Sequence, residues 1–225
     1  MTRSTASGKT QSRQASSDWY LARPTSGATS GGVLVLHAWW GLNPFFHSLC
    51  DRLAAEGFTA LAPDLYHGTL ATTVDEAERL RSKLKGTVAQ SEILQAVTAL
   101  SAEVGGKPIA VMGFSMGAYY ALWLVEQAAL PVTATVLFYG TRGGDYAATP
   151  SAFLGHFAES DEWVAASGVK KLEKALRAAG KEVDFHTYPG TSHWFFESDR
   201  PDAFSPQAAD LAWQRTVAFL HRLVS

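Results

Sequence analysis

A serine lies at the centre of a glycine-flanked motif in the middle of the chain. The segment Gly113–Gly117 reads G-F-S-M-G and directly follows the apolar run Pro108–Met112. This G-x-S-x-G pattern is typical of a nucleophile elbow, a sharp strand-to-helix turn that exposes the serine hydroxyl. The glycines allow a tight turn because they carry no side chain. The motif therefore predicts that Ser115 is a nucleophile; the alternative is that its hydroxyl only caps the following helix.

A histidine further along the chain is placed to serve as the base that a serine nucleophile needs. In α/β hydrolases the catalytic groups follow in the order serine, acid, histidine. His193 lies in a loop directly after a predicted strand, at an edge where such groups are found. The other histidines after the serine lie inside or at the end of predicted strands, or in the last helix: His156, His186 and His221. We therefore expect His193 to be the base.

The acid that orients this histidine should come from the loop after the strand Ser151–Phe157. That loop contains three carboxylates, Glu159, Asp161 and Glu162. We choose Asp161, with Glu159 and Glu162 as solvated alternatives. Spacing favours Asp161 over Glu159, but Glu159 stays open because either could reach an imidazole N–H. Asp64 also follows a predicted strand, but it precedes the serine, so we expect it to have a structural hydrogen-bonding role.

Two backbone N–H groups must also point at the oxyanion that develops on the attacked carbonyl. One should be the amide of Met116, the residue after the serine. The other should come from the loop His37–Asn43, which follows the first long apolar run. We prefer Trp39 as this donor over Trp40, and both indoles could also simply pack over the sheet.

Short apolar runs alternate with helical patterns from about residue 18 onwards. The predicted strands are Val33–His37, Phe58–Ala62, Pro108–Met112, Val132–Phe138, Ser151–Phe157 and Val183–Tyr188. The predicted helices are 44–56, about 74–84, one carrying Ile93 to Val104, about 116–129, one ending at Gly180, and 206–223. This alternation predicts an α/β fold with a mainly parallel sheet and helices on both faces. Ligands bind such sheets at the carboxyl ends of the strands, where the candidate residues lie.

The composition excludes several functional classes. The chain has 225 residues, of which 47% are hydrophobic and 18% charged, and this composition predicts one folded domain, 18–225. We expect residues 1–17 to form a flexible tail, which lacks a secretory apolar segment. A net charge of −2 gives no field for binding nucleic acid or a membrane surface. The single cysteine, Cys50, excludes an internal disulfide and a cysteine-built zinc site. We expect no cofactor, no metal, and a cytoplasmic monomer or small homo-oligomer.

These motifs together resemble the dienelactone hydrolase family of α/β hydrolases. The matching segments are Leu34–Asn43, Pro63–Tyr66, Gly113–Gly117, Asp161 and Gly190–His193, spread over nearly all of residues 18–225. The resemblance implies an α/β-hydrolase fold without a large cap domain. It also implies cleavage of an ester or lactone through an acyl-enzyme, and it favours Asp161 over Glu159 and Trp39 over Trp40.

Three positions depart from dienelactone hydrolase itself. That enzyme has a cysteine nucleophile where this chain has Ser115, and a glutamate near the nucleophile where this chain has Ala38. Glu197 stands where that enzyme has an arginine that anchors its anionic substrate. An anionic lactone is therefore disfavoured unless Arg142 or Arg200 substitutes. A serine also depends on its histidine throughout, because a hydroxyl ionises far less readily than a thiol.

Aromatic residues flank the predicted strand ends, and we expect them to form the substrate pocket, although ordinary packing would explain each one alone. They are Trp40, Tyr66, Tyr119, Trp163 and Trp194. These side chains predict a neutral, aromatic or medium-sized ester or lactone. Two other functions stay open: an acyltransferase or perhydrolase that uses the same acyl-enzyme, and a low-turnover ligand receptor on the same scaffold.

Overall fold

A single sheet forms the centre of the protein. The structure, a computed structural model, describes residues 19–25, 27–127 and 130–224, so the predicted tail 1–17 lies outside the described residues. Its strands are β1 Trp19–Ala22, β2 Gly32–Leu36, β3 Thr59–Pro63, β4 Ile109–Phe114, β5 Val132–Phe138, β6 Ala152–Ser160 and β7 Val183–Ser192. Within this part of the chain, seven strands lie in the order β1-β3-β2-β4-β5-β6-β7. Only β1 runs antiparallel to its neighbour among these strands.

Helices connect most of the strands. They are α1 Pro44–Ala55, α2 Val74–Lys83, α3 Gly86–Glu103, α4 Met116–Val125, α5 Ala166–Ala178 and α6 Pro206–Val224. α1 begins where the side chain of Asn43 accepts two amide hydrogen bonds and Pro44 takes the first helical position. α2 begins with a reciprocal capping box between Thr73 and Glu76. Both starts agree with the sequence patterns.

The predicted strands and helices are all present, with differences at their ends. β6 and β7 extend to Ser160 and Ser192 because the two strands resume pairing after a bulge. α4 ends at Val125 instead of near residue 129, which lies outside the described residues. The sequence does not predict β1, whose four residues are too short to show a periodic pattern.

The core lies between the sheet and two layers of helices. β2 and β4 are buried along their whole length, as expected of parallel strands covered on both faces. α3 and α4 pack together in one layer; α1 and α6 lie in the other, where the guanidinium of Arg52 stacks 4.0 Å from the ring of Trp213. Among the described helices, none is both long and apolar enough to cross a membrane. Because β2 to β7 run parallel to one another, the loops after β2, β4, β5, β6 and β7 meet at one edge of the sheet.

Candidate active site

Ser115 lies in a sharp turn between β4 and α4. Its φ of 50° belongs to the left-handed region, which residues with side chains rarely adopt. A Cβ on Gly113 would collide with the backbone of Gly117, and a Cβ on Gly117 would collide with the carbonyl of Leu36 in β2. Both glycines are therefore required by close contacts between backbones. Within the described chain the Ser115 side chain caps no amide of α4, so the helix-cap alternative is wrong.

Three side chains far apart in the sequence form a continuous series of hydrogen bonds. Oγ of Ser115 is 2.9 Å from Nε2 of His193, and Nδ1 of His193 is 2.7 Å from Oδ2 of Asp161. The carboxylate accepts the Nδ1 proton, which leaves Nε2 able to accept the proton of the serine hydroxyl. His193 is only 3% exposed, so little water competes for these bonds. The arrangement can activate Ser115 as a nucleophile.

The carboxylate of Asp161 is held by its own loop as well as by the imidazole. Its second oxygen, Oδ1, accepts the backbone N–H groups of Trp163 at 2.9 Å and Val164 at 2.8 Å. These two bonds fix the rotation of the side chain, so that Oδ2 faces His193.

The other candidate acids and histidines lie outside this series of hydrogen bonds. Glu159, near the end of β6, accepts the N–H of Gly190 in β7 at 2.9 Å and thereby links the two strands that precede Asp161 and His193. Asp64 accepts two amide hydrogen bonds within its own loop, at 3.0 and 2.6 Å, in the structural role expected for it. The histidines have other partners: Tyr188 and Thr216 for His156, Asp184 for His186, and Glu56 for His221.

The two expected oxyanion donors lie in the wall of the cavity that Ser115 faces. Met116 is the first residue of α4, so its N–H has no acceptor within the helix. Trp39 takes the second position of a turn that the N–H of Gly41 closes on the carbonyl of Ala38, at 3.2 Å. That turn does not use the amide of Trp39. Both amides are therefore candidates for binding an oxyanion.

A buried histidine and a buried tyrosine link the segments that carry these donors. Nδ1 of His37 donates to the carbonyl of Ala38 at 2.6 Å, and Nε2 accepts the N–H of Leu65 at 3.2 Å. Burial lowers the pKa of His37, which keeps the ring neutral, as these two bonds require. The hydroxyl of Tyr66 lies 3.3 Å from the sulfur of Met116. One network thus holds together the loops after β2 and β3 and the start of α4.

A cavity of about 650 Å³ opens above Ser115. Six aromatic side chains form part of its wall: Trp39, Tyr119, Tyr120, Tyr139, Trp163 and Trp194. One face of α2 adds the polar residues Glu78, Arg81 and Ser82. A concave wall that combines aromatic side chains with polar groups is typical of a small-molecule site.

Comparisons with known proteins give the family. The sequence model of the dienelactone hydrolase family matches residues 18–224. This chain belongs to the dienelactone hydrolase family. The protein usf of Aquifex pyrophilus is 31% identical over 215 residues, which cover 89% of this chain and 90% of that protein. A protein of Aquifex aeolicus with the name "Putative carboxymethylenebutenolidase" is 31% identical over 213 residues, with the same coverage of 89% and 90%.

A solved structure supports the same assignment. The "Putative Dienelactone Hydrolase" of Klebsiella pneumoniae superposes with a TM-score of 0.77 at 25% identity, covering 89% of this chain and 91% of that one. The predicted family, the α/β-hydrolase fold and the class of carboxylic-ester and lactone hydrolases are confirmed at the level of the family. In this dienelactone hydrolase family member, Ser115, His193 and Asp161 meet where ligands bind open α/β sheets.

Two predicted pocket residues lie outside the cavity wall of this family member. Trp40 is 3% exposed and packs edge-on against Trp39 and Trp194, with the guanidinium of Arg200 3.8 Å from its ring. Trp39 and Trp40 are neighbours in a turn, and only the first faces the cavity. Tyr66 is buried in the network described above. The pocket prediction is therefore corrected for Trp40 and Tyr66.

Other lining residues are ones that the sequence analysis does not identify. Tyr139 follows β5 directly, so the rule that ligands bind at strand ends could have singled it out. Tyr120 lies just over one helical turn after Ser115 and could have been found from helix geometry. Glu78 and Arg81 come from α2, and no local pattern shows which face of that helix meets the cavity.

Glu197 does not face the cavity. It is fully buried, and its Oε1 lies 2.7 Å from the hydroxyl of Tyr139. Burial raises the pKa of Glu197 to about 8, so its carboxyl is uncharged at neutral pH. Glu197 therefore presents no negative charge to the cavity, and the prediction that it disfavours an anionic lactone is wrong. Arg142, which pairs with Glu126, and Arg200 also lie outside the cavity wall, whereas the wall contains Arg81.

Proposed function

We propose that this chain is a serine hydrolase that cleaves an ester or lactone through an acyl-enzyme on Ser115. The observation that carries the proposal is the hydrogen-bonded series of Ser115, His193 and Asp161 at the base of an aromatic cavity. A hydroxyl, an imidazole and a carboxylate in this order supply a nucleophile, a general base and an orienting acid. Membership of the dienelactone hydrolase family supports hydrolysis as the reaction.

In the first half of the reaction, Oγ of Ser115 attacks the carbonyl carbon while Nε2 of His193 takes the hydroxyl proton. The carbonyl oxygen becomes an oxyanion, which the N–H groups of Met116 and Trp39 stabilise. The bond to the leaving alkoxy oxygen then breaks, and His193 gives its proton to that oxygen. An ester releases an alcohol, whereas a lactone opens and keeps the new hydroxyl on the bound acyl chain.

In the second half, a water molecule attacks the acyl carbon and His193 takes a proton from it. The bond to Oγ of Ser115 breaks, the serine regains its proton from the imidazolium, and a carboxylic acid leaves. Asp161 stays ionised throughout and stabilises the imidazolium that forms in each half. A serine cannot dispense with this base, because its hydroxyl is almost wholly protonated at neutral pH.

The substrate that fits this cavity is neutral and carries an aromatic or medium-sized apolar acyl group. The rings of Trp39, Trp163 and Trp194 lie 4.8 to 5.9 Å apart and form one continuous apolar wall. Flat groups stack on such rings or meet them edge-on. Glu78 and Arg81 have opposite charges on one face of α2, so together they add no net charge to the wall. The cytoplasmic location and the monomeric or small oligomeric state stay predictions from the sequence.

Covalent labelling and steady-state hydrolysis test the proposal together. The protein is treated with a fluorophosphonate, and the labelled peptide is identified by mass spectrometry. In parallel, hydrolysis of p-nitrophenyl esters and of neutral and anionic lactones is followed. We expect label on Ser115 and turnover of neutral substrates, with both lost in Ser115→Ala.

Other outcomes separate the alternatives. Label on another residue would overturn the assignment of Ser115, and a strong preference for anionic lactones would overturn the neutral substrate. Labelling of Ser115 without turnover would indicate a receptor. A product formed with an added alcohol or peroxide, at the expense of free acid, would indicate acyl transfer.

A further inference from the structure

Tyr139 is anchored to the turn that carries Ser115. It follows β5 directly, and the residue before it, Phe138, accepts the N–H of Ser115 at 2.9 Å. The N–H of Tyr139 donates to the carbonyl of His156 at 2.8 Å. Its φ of 38° lies in the left-handed region, where a large side chain is uncommon. Such a conformation persists only where the surrounding structure holds it, so the direction of this side chain is fixed.

The side chain of Tyr139 reaches from this anchor to the loop that carries the histidine. Its ring lies against the imidazole of His193, with 4.9 Å between centroids and a tilt of 57°. Its other neighbours include Phe195, at 5.7 Å between ring centroids. At the far end of the ring, the hydroxyl donates to Oε1 of Glu197 at 2.7 Å. Glu197 belongs to the histidine loop, where its N–H closes a turn on the carbonyl of Trp194 at 2.9 Å.

The contact joins a hydroxyl and a carboxyl group, and burying either one costs free energy. Tyr139 and Glu197 are both fully buried. Burial raises the pKa of Glu197 to about 8, so at neutral pH both groups are uncharged. Among the described residues, Oε2 of Glu197 has no hydrogen-bond partner. A buried polar group left partly unsatisfied costs free energy, and an apolar pair would fill the same space at lower cost. Buried polar contacts of this kind fix one geometry where apolar packing would allow several.

We propose that Tyr139 and Glu197 are a positioning pair that holds the imidazole of His193 at its hydrogen-bonding distance from Ser115. Asp161 fixes one edge of the imidazole, but a single hydrogen bond still lets the ring swing about it. The Tyr139 ring packs against the imidazole and limits this rotation on one side. The hydrogen bond to Glu197 keeps the tyrosine side chain from rotating away. The pair thereby ties the turn of Ser115 to the loop of His193. This inference rests on the proposed function, in which His193 is the base.

Four variants test the pair by the rate at which a fluorophosphonate labels Ser115 and by kcat and KM for a p-nitrophenyl ester. Tyr139→Phe and Glu197→Leu each remove the hydrogen bond, and we expect each to lower the labelling rate and kcat at least fivefold, with KM in Glu197→Leu changed less than twofold. Glu197→Gln keeps an uncharged acceptor of the same shape, and we expect it to retain at least half of both rates. The double variant Tyr139→Phe/Glu197→Leu should be no slower than the slower single variant, because both changes break one bond.

A matched control separates positioning from general loss of stability. Thr135 lies in β5, is fully buried, and shares a hydrogen bond of 2.7 Å with the hydroxyl of Ser151. Thr135→Val also removes a buried hydroxyl contact, and we expect it to lower the melting temperature without changing the labelling rate. Equal rate losses in Thr135→Val and Tyr139→Phe would overturn the pair as a positioning device.

The outcomes also separate this inference from the proposed function. If Ser115 in the unmodified protein is not labelled, both the proposed function and this inference are overturned. If Ser115 is labelled and Tyr139→Phe and Glu197→Leu react at the unmodified rate, the inference alone is overturned. A rate loss in the double variant equal to the product of the two single losses would also contradict the inference.

Discussion

Trp163 donates its backbone N–H to Oδ1 of Asp161 at 2.9 Å, and its indole, 43% exposed, forms part of the cavity wall. One residue therefore contacts the carboxylate through its backbone and the cavity through its side chain. Changing the side chain should leave the hydrogen bond intact, because every residue except proline carries the same N–H. Substrate binding and orientation of the acid can thus be separated by mutation.

Trp163→Ala removes the indole and keeps the amide. We expect KM for an ester with an aromatic acyl group to rise about three- to tenfold, since one aromatic contact of roughly 1 kcal/mol is lost. The value of kcat should stay within about twofold, because the hydrogen bonds of Asp161 are unchanged. Steady-state kinetics with p-nitrophenyl benzoate and p-nitrophenyl acetate check this. An equal rise of KM for both esters would contradict a specific contact with the aromatic acyl group.

Asp161→Asn replaces the oriented carboxylate by an amide. In our account kcat falls by about two to four orders of magnitude, because the imidazolium loses its negative partner and the imidazole its fixed tautomer. Glu159→Gln, two residues earlier at the end of β6, is the control and should stay within about threefold, since Glu159 accepts the N–H of Gly190 whereas Asp161 is the partner of His193. Initial-rate measurements at saturating ester decide between them. The reverse order of the two losses would move the role of acid to Glu159.

The residues of the proposed triad could be found from the sequence because each follows a strand and their order is fixed by the topology. Ser115 is set in a short motif, and parallel strands bring the loops of Asp161 and His193 to the same edge. A local pattern and one topological rule were enough. The contacts of 2.9 and 2.7 Å then follow from the loops' conformations, which the sequence does not reveal.

The features of the site that could not be predicted from the sequence depend on contacts between distant segments. The bond between Tyr139 and Glu197 joins residues with no sequence pattern in common. Burial, which the sequence does not reveal, raises the pKa of Glu197 and removes the negative charge expected of it at neutral pH. Trp39 and Trp40 are identical in type and adjacent, so only the turn that holds them decides which one faces the cavity. Arg81 enters the wall through the packing of α2, a long-range property as well.

Gly117→Ala should destabilise the fold by at least about 2 kcal/mol, because its Cβ would collide with the Leu36 carbonyl in a neighbouring strand. Gly143 has open space around a Cβ and no left-handed φ. Gly143→Ala is therefore the matched control, with a change within about 0.5 kcal/mol. Urea unfolding of the two variants measures the difference. Equal stability of both would contradict the close approach of β2 to the turn after Ser115.

The pH dependence of stability reports on Glu197. Its pKa is about 8 in the folded protein, against about 4.3 for an exposed glutamate in an unfolded chain. Between these values the unfolded chain has lost a proton that the folded protein keeps. The free energy of unfolding therefore falls as pH rises, by up to about 1.4 kcal/mol per pH unit from this group.

Glu197→Gln removes that titration. Relative to the unmodified protein, the variant should gain stability steadily from pH 5 to pH 8, and the gain should level off above pH 8. Urea unfolding at matched pH values gives the difference, in which the contributions of all other groups cancel. A difference that is constant over this range would show that Glu197 is ionised in the folded protein.

The most direct test of the account is to trap the acyl-enzyme during turnover. The protein is mixed with excess p-nitrophenyl ester, quenched in acid within the first turnovers, digested and analysed by mass spectrometry. We predict a mass increase equal to the acyl group on the peptide that contains Ser115, and none in Ser115→Ala. Sustained hydrolysis with no acyl group on Ser115, or with the acyl group on another residue, would contradict the account.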